Sequence, residues 1–408
     1  MPRVNVLRDH HHSGARVLKA SQSTRPLIAA VLAATMSMLP VHLLGASSVL
    51  LREDLHFDQA HLGMAVAAFF GAFGIVALVA GHISQTRGPR TALLIATTCS
   101  CVSLLGMATL VHDRMSMLAF LMIGGAGNAF AQTGGNLALS SGVGVGRQGM
   151  AFGLKQSAIP VSSLLAGAAV PLVGLTLGWR WSFVVVLALA PVQYALLSRN
   201  FSETTALRAD DSAPATDWPL LIALTVAYGG AAGASATLAA FLVDSAVSNG
   251  VQIGSAGALL AMGSVVSIAT RLAVGWIVDR RGHADLMIVV VLLFLGATGY
   301  LALSSGSMVL FAIGAAVAFG AGWGWNGVFN HAIVSMNKRN PGTATGFAMM
   351  GMATGGMLWP FAFGLLVTAT SFRVAWTATA ALSFAAGAII VGAERRRRRR
   401  AAEAMVVA

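Results

Sequence analysis

The feature that most limits what this chain can fold into is a run of about twenty apolar residues that recurs a dozen times along its 408 residues. Roughly twenty residues is the length a helix needs to cross about 30 Å of hydrocarbon. A backbone in lipid has no water to bond with and must satisfy its own N–H and C=O groups, so such runs read as helices. Composition agrees: 10% of the residues are charged and the mean hydropathy is +0.76, where a soluble domain carries about 25% charged residues. The expected fold class is an all-α membrane protein with twelve transmembrane helices. Spans are expected at 27–51, 62–84, 91–111, 115–143, 150–175, 181–198, 218–243, 254–278, 286–304, 308–336, 343–367 and 373–393.

Charge fixes the orientation. Of the 26 Lys and Arg, 20 fall in the two tails and in the loops that share their side, and four, Arg52, Arg114, Arg180 and Arg373, fall on the other side. The bias puts both termini in the cytoplasm and requires an even number of spans. Residues 1–26 are expected to be a retained cytoplasmic tail, because no convincing small-residue cleavage site follows them. The basic run Arg395–Arg400, in a cytoplasmic tail spanning 394–408, reads as an anchor at anionic lipid and not as a nucleic-acid arm. Cys99 and Cys101 lie on different faces of one span without a ligand set and read as packing residues. His10, His11 and His12 do not make a metal site. No cofactor or metal is expected, and no nucleic acid.

The chain also repeats itself. G-H-I-S-Q-T-R-G-P-R at Gly81–Arg90 and G-W-I-V-D-R-R-G-H-A at Gly275–Ala284 each follow an apolar run, 194 residues apart. At almost the same offset Gly149 and Gly153 fall on Gly342 and Gly346, Arg180 on Arg373, Gln132 on Asn326, and Asn136 on Asn330. A polar stretch at 199–217 divides a half at 27–198 from a half at 218–393. Asn128, Gln132 and Asn136 recur every four residues and put three amides on one helix face; Asn326 and Asn330 repeat the pattern. Amides in hydrocarbon must find partners, so these faces point to the protein interior or a wet cavity.

On these residues the chain resembles the major facilitator superfamily over nearly its whole length, through two six-span halves and the hairpin motif G-x-x-x-D-R-x-G-R-R. The C-terminal copy keeps Gly275, Asp279, Arg280 and Gly282. The N-terminal copy keeps Gly81, Gly88 and Arg90 but has Gln85 in place of the acid and Thr86 in place of the first arginine. The acid of such a motif can pair with a base or a helix terminus and hold one side shut, so Asp279 and Arg280 are expected to carry more of the gate than Gln85. G-L-K-Q-S-A-I-P at Gly153–Pro160 and G-W-G-W-N-G at Gly322–Gly327 are similar to the branch containing cyanate and nitroimidazole permeases. The resemblance implies one central cavity between the halves, opened alternately to either side.

The remaining candidates follow from charge. All 14 carboxylates lie in loops, tails or span edges, whereas Lys155 and Arg271 lie inside spans, at a cost of about 2.5–3.5 kcal/mol each near a helix centre. With no acid in reach, a negatively charged substrate is the expected partner of both. The alternatives are that Lys155 snorkels to the surface and that Arg271 ties helix ends. His42 and His331 are the candidates for carrying a coupled proton, or else packed histidines. Trp323 and Trp325 either wall the cavity or pack against neighbours. The G-G-A-G-N at Gly124–Asn128 follows a helix and serves close packing, not phosphate.

The expectation is therefore a secondary transporter, not an enzyme, that moves a small solute, most simply a small anion, by alternating access. The alternative is an efflux pump for an uncharged or amphiphilic compound. Expected substrate-site residues are Lys155, Arg271, Asn128, Gln132, Asn136, Trp325, Asn326 and Asn330. Expected partners are the lipid bilayer of the inner membrane, the substrate, and a coupled proton or counter-anion, for a protein acting as a monomer.

Overall fold

A computed structural model of the chain describes residues 24–140, 148–198, 216–281, 285–337, 339 and 341–407. Eleven helices among the described residues are long and apolar enough to cross a membrane. One of them, Gln59–Thr109, has 51 residues and departs from helical geometry at Gly88, with φ 81° and ψ 164°. It makes two crossings, so the crossing segments number twelve. We call them spans 1 to 12: Arg25–Ala46, the two parts of Gln59–Thr109 on either side of Gly88, Arg114–Ala138, Gly153–Leu177, Trp179–Leu197, Trp218–Ser248, Ile253–Arg281, Leu286–Leu303, Met308–Met336, Thr343–Ala369 and Phe372–Arg399. With an even number of crossings, Thr24 and Val407 lie on one face of the bundle, here the terminal face. The connection at 199–215, the tail at 1–23 and Gly282 lie outside the described residues.

The loop expected between spans 2 and 3 is a single residue. Gly88 turns the chain at positive φ, where a side chain would be strained, and Pro89 then starts the next helix with its ring preset for helical φ. Span 1 is also shorter than expected: the helix breaks at Ser47 and resumes as the short Ser48–Leu55, which stops at His56 in the left-handed region. Several loop acids serve as helix caps. Asp58 accepts from His61 N, Asp113 from Ser116 N, Asp217 from Leu220 N and Asp285 from Met287 N.

Four pairs of spans join the halves: 1 with 7, 2 with 11, 5 with 8, and the start of 5 with 10. Small residues let them approach. A side chain on Gly45 would strike the backbone of Ala240, one on Gly63 the carbonyl of Pro360, one on Gly153 the carbonyl of Arg271, and one on Gly167 the carbonyl of Gly257. On the face opposite the termini the seam is tied by Arg52 and Asp244, which meet through both guanidinium nitrogens, Nη1 lying 3.2 Å from Oδ2. On the terminal face the two flanks differ. Spans 5 and 8 stay together to their ends, whereas spans 2 and 11 part: a side chain on Gly74 would touch Ala353, but ones on Gly81 and Gly346 would meet nothing.

Candidate functional site

The amide ladders do find partners, one network in each half. In the first, Ser37 of span 1 lies 3.1 Å from Asn128 Oδ1 of span 4, Gln132 Nε2 donates to the same oxygen, and Lys155 Nζ donates to Gln132 Oε1. Asn128, Gln132 and Lys155 are buried, and Asn136, one turn further toward the terminal face, is half-buried. Lys155 is 1% exposed, so it does not snorkel. In the second, Tyr228 of span 7 donates its hydroxyl to Asn326 Oδ1, while Asn330 Nδ2 donates to Tyr228 Oη at 2.9 Å and to Asn326 Oδ1 at 3.2 Å. Tyr228 was not foreseen from sequence. Its signal is that an amide ladder needs a partner helix, and span 7 has a single buried phenol to offer.

Arg271 bridges the halves. Its Nη2 and Nε donate to Trp323 O of span 10, at 2.7 and 3.3 Å, and its Nη1 donates to Gln156 O of span 5. Local sequence explains why those carbonyls are available. Gln156 O would ordinarily accept from the N–H four residues on, and that residue is Pro160, which has none. Trp323 sits where a π-helical turn, Ala318–Gly322, gives way to the helix Asn326–Met336, so its carbonyl lies between two ladders. The guanidinium also lies 5.5 Å over the Trp323 ring. Among the described residues, neither Arg271 nor Lys155 has a carboxylate within salt-bridge distance.

Between the halves lies a cavity of about 30 Å³, bordered by Met38, Val41 and His42 of span 1, Phe70, Ile159, Ser235, Trp323, Asn326 and Met352. That is room for about two waters. The π turn sets which tryptophan reaches it. Trp323 borders the cavity and meets His42 edge-on at 5.8 Å. Trp325 does not: it is fully buried inside the second half, packed at 4.9 Å on Tyr228, with its indole N–H on Gly322 O. His42 Nδ1 lies 2.6 Å from Ser162 Oγ. His331 is away from the cavity, near the terminal face and within electrostatic reach of Asp279.

The two hairpin copies are used differently. Asp279 Oδ2 accepts from Met150 N at 2.9 Å, in the first turn of the helix starting at Gln148. This places a carboxylate of the second half on the positive end of a helix of the first. Arg280 stacks 3.8 Å over Trp276, and Gly275 is buried against span 5. In the other copy Gln85 is exposed, and Arg90 Nε donates to Leu197 O at the C-terminal end of span 6, within its own half.

The sequence matches the Major Facilitator Superfamily over residues 27–336 and again over 220–405, which together take in nearly all of the chain. The chain belongs to this superfamily. The match is to the superfamily as a whole and does not reach the permease branch. No curated protein matches the sequence. Superfamily structures resemble it throughout. A bacterial homologue of the human lysosomal transporter Spinster, in an inward-facing and occupied conformation, aligns with TM-score 0.69 at 16% identity, covering 90% of this chain and 96% of its own. The human organic anion transporter MFSD10 (TETRAN) aligns with TM-score 0.71 at 15% identity, covering 91% and 99%. At such identities the likeness is one of fold.

Proposed function

We propose that this superfamily member is a secondary transporter that carries a small anion by rocking its two halves about the central cavity. The observation that supports this best is that Lys155, fully buried in the first half, and Arg271, fully buried between the halves, are met only by neutral acceptors. Amide and carbonyl oxygens satisfy hydrogen bonds but leave two positive charges uncompensated in a low-dielectric interior. Arg271 also holds a carbonyl of each half. When the halves separate, one of those acceptors is withdrawn, and an anion entering the opened cavity replaces it with a charge-assisted bond.

The seam carries the asymmetry that such rocking needs. Asp279 on the helix of Met150 closes one flank of the terminal face, while the other flank is parted. We place that face in the cytoplasm of a cell inner membrane, following the bias of Lys and Arg, and take the protein to act as a monomer. Import of an anion then works against about 2.3 kcal/mol per 100 mV of membrane potential, so it requires a proton or an exchanged anion. The test is thermal stabilisation of the purified protein across a panel of small anions, with matched cations and neutral solutes as controls. Stabilisation by anions, lost in Lys155→Ala and Arg271→Ala, supports the reading. Stabilisation by neutral amphiphiles alone would select the efflux alternative instead.

A further inference from the structure

Among the described residues His42 is the one histidine on the cavity wall, and its hydrogen bonds fix what it offers there. Ser162 Oγ lies 2.7 Å from Ile159 O, to which its single hydroxyl hydrogen is given. It can therefore only accept from His42 Nδ1, 2.6 Å away, so the imidazole carries its hydrogen on Nδ1. Nε2 has no protein partner among the described residues and is not enclosed by protein. It presents a lone pair to the cavity.

Asn326, across the cavity on span 10, is fixed in the same way. Its Oδ1 accepts from Tyr228 Oη and from Asn330 Nδ2, which settles the amide orientation. Its Nδ2 then faces the cavity as an unused donor, again without being enclosed. The third polar group on the wall, Ser235, gives its hydrogen to Ala231 O and Gly322 O. The wall thus offers the acceptor of His42 and the donor of Asn326, with Ser235 Oγ able only to accept, among the apolar Met38, Phe70, Ile159 and Met352.

We infer that the cavity, once the halves part and widen it beyond its present volume of about 30 Å³, takes a weak monocarboxylic acid together with its proton: the carboxyl O–H is given to His42 Nε2, and the carboxyl C=O accepts from Asn326 Nδ2. This rests on the reading above that the cargo is an anion, and it names the anion and its coupling. The proton balance is simple. A carboxylate and one proton enter together, the proton lies between carboxyl oxygen and Nε2 while the acid is bound, and both leave on the other side with His42 as it began. The unit carried is electroneutral and moves unopposed by the membrane potential. The apolar wall holds the body of the acid, which explains how an anion carrier comes to have so few polar groups on its cavity.

The groups that act on His42 are few. Arg271 lies over the Trp323 ring that separates it from His42, and its charge reaches the imidazole. From span 5 the facing groups are Ser162 and Ile159, from span 7 Ser235, from span 10 Asn326 and Trp323, from spans 2 and 11 Phe70 and Met352. Lys155 is turned to Gln132 on span 4. Among the described residues, no carboxylate is on the cavity wall to take the proton instead.

The test uses the full chain in proteoliposomes with labelled L-lactate, pyruvate and phenylpyruvate, subtracting protein-free vesicles. With an acid exterior, the wild type should accumulate at least one of these to a steady-state ratio approaching about tenfold per pH unit, indifferent to a potassium–valinomycin potential. An interior pH dye should record one proton for each molecule. In His42→Leu, which offers the carboxyl O–H no acceptor, exchange of label at equal pH should slow by about tenfold for the lost hydrogen bond. Asn326→Leu should weaken uptake but keep the ratio. Exchange in His42→Leu at the undiminished wild-type rate overturns the proposal. So does wild-type transport that follows the potential or moves no proton, an outcome that leaves the anion reading standing. Absence of wild-type exchange for all three acids also overturns it, and the anion reading is then decided by the wider panel of small anions. The dye measurement is made on the wild type, so it decides even where the variant does not fold.

Discussion

Arg52 and Asp244 lie 192 residues apart, within two residues of the internal repeat, so the ion pair joins almost equivalent positions of the two halves across their pseudo-twofold axis. Replacing Arg52 with Met leaves the Asp244 carboxylate, 2% exposed, with Gln59 as its remaining hydrogen-bond partner. Removing one member of a buried pair costs about 3–5 kcal/mol. Arg52 is itself 25% exposed and Gln59 stays, so the low end, roughly 3 kcal/mol, applies. That cost falls only on the arrangement in which the halves meet on this face, because parting them returns the carboxylate to water. The balance should therefore move about a hundredfold toward the form open on the face opposite the termini. Spin labels at His112 and Gly306, exposed on that face in opposite halves, report the separation in a Cys99→Ala, Cys101→Ala background. The wild type should show one short distance, Arg52→Met mostly a longer one, and the exchanged pair Arg52→Asp with Asp244→Arg the short one again. An unchanged distribution in Arg52→Met, or a shift that the exchanged pair leaves in place, would refute the reasoning.

Three further outcomes follow from single contacts. Gly88→Ala places a side chain at φ 81° in otherwise open space, so only backbone strain is felt; the melting temperature should fall by an amount corresponding to about 1–2 kcal/mol. Tyr228→Phe removes a hydroxyl that both Asn326 and Asn330 use, and should cost about 1–3 kcal/mol in the same assay, with no change in spans 1 to 6 by hydrogen exchange. Asp54 is held below the ordinary carboxylate range, chiefly by its hydrogen bond from Arg180 and further by Trp179. Because the folded value is the lower one, that stabilisation is complete above the ordinary carboxylate range and disappears as pH falls through the lowered value. Melting curves of wild type and Asp54→Asn should thus differ at neutral pH and converge in acid.

Much of the architecture was legible because lipid imposes it. The apolar runs fix the number of crossings, the offset of the repeat fixes the division into halves, and amides four apart foretell buried networks before any partner is known. What escaped was set by single backbone events. The hairpin between spans 2 and 3 looked like a loop because nothing in its polarity shows that Gly88 alone turns the chain. The acceptors of Arg271 are not side chains but carbonyls, one freed by the missing N–H of Pro160 and one by a π turn. That same turn changes the helical register, so Trp323 reaches the cavity where Trp325 was expected. Tyr228 and the Arg52–Asp244 pair depend on contacts between distant helices, which the repeat offset could have suggested for the pair.

The central claim is that two buried, uncompensated cations, one of them bridging the halves, serve an anion. Net uptake of labelled small carboxylates into sealed proteoliposomes, compared among wild type, Lys155→Ala and Arg271→Ala at matched protein incorporation, tests it most directly. The account predicts saturable uptake by the wild type and a loss of at least about tenfold in each variant, as expected where a charge-assisted bond of roughly 1.5–3 kcal/mol is removed. Uptake of undiminished rate and affinity in both variants would contradict it.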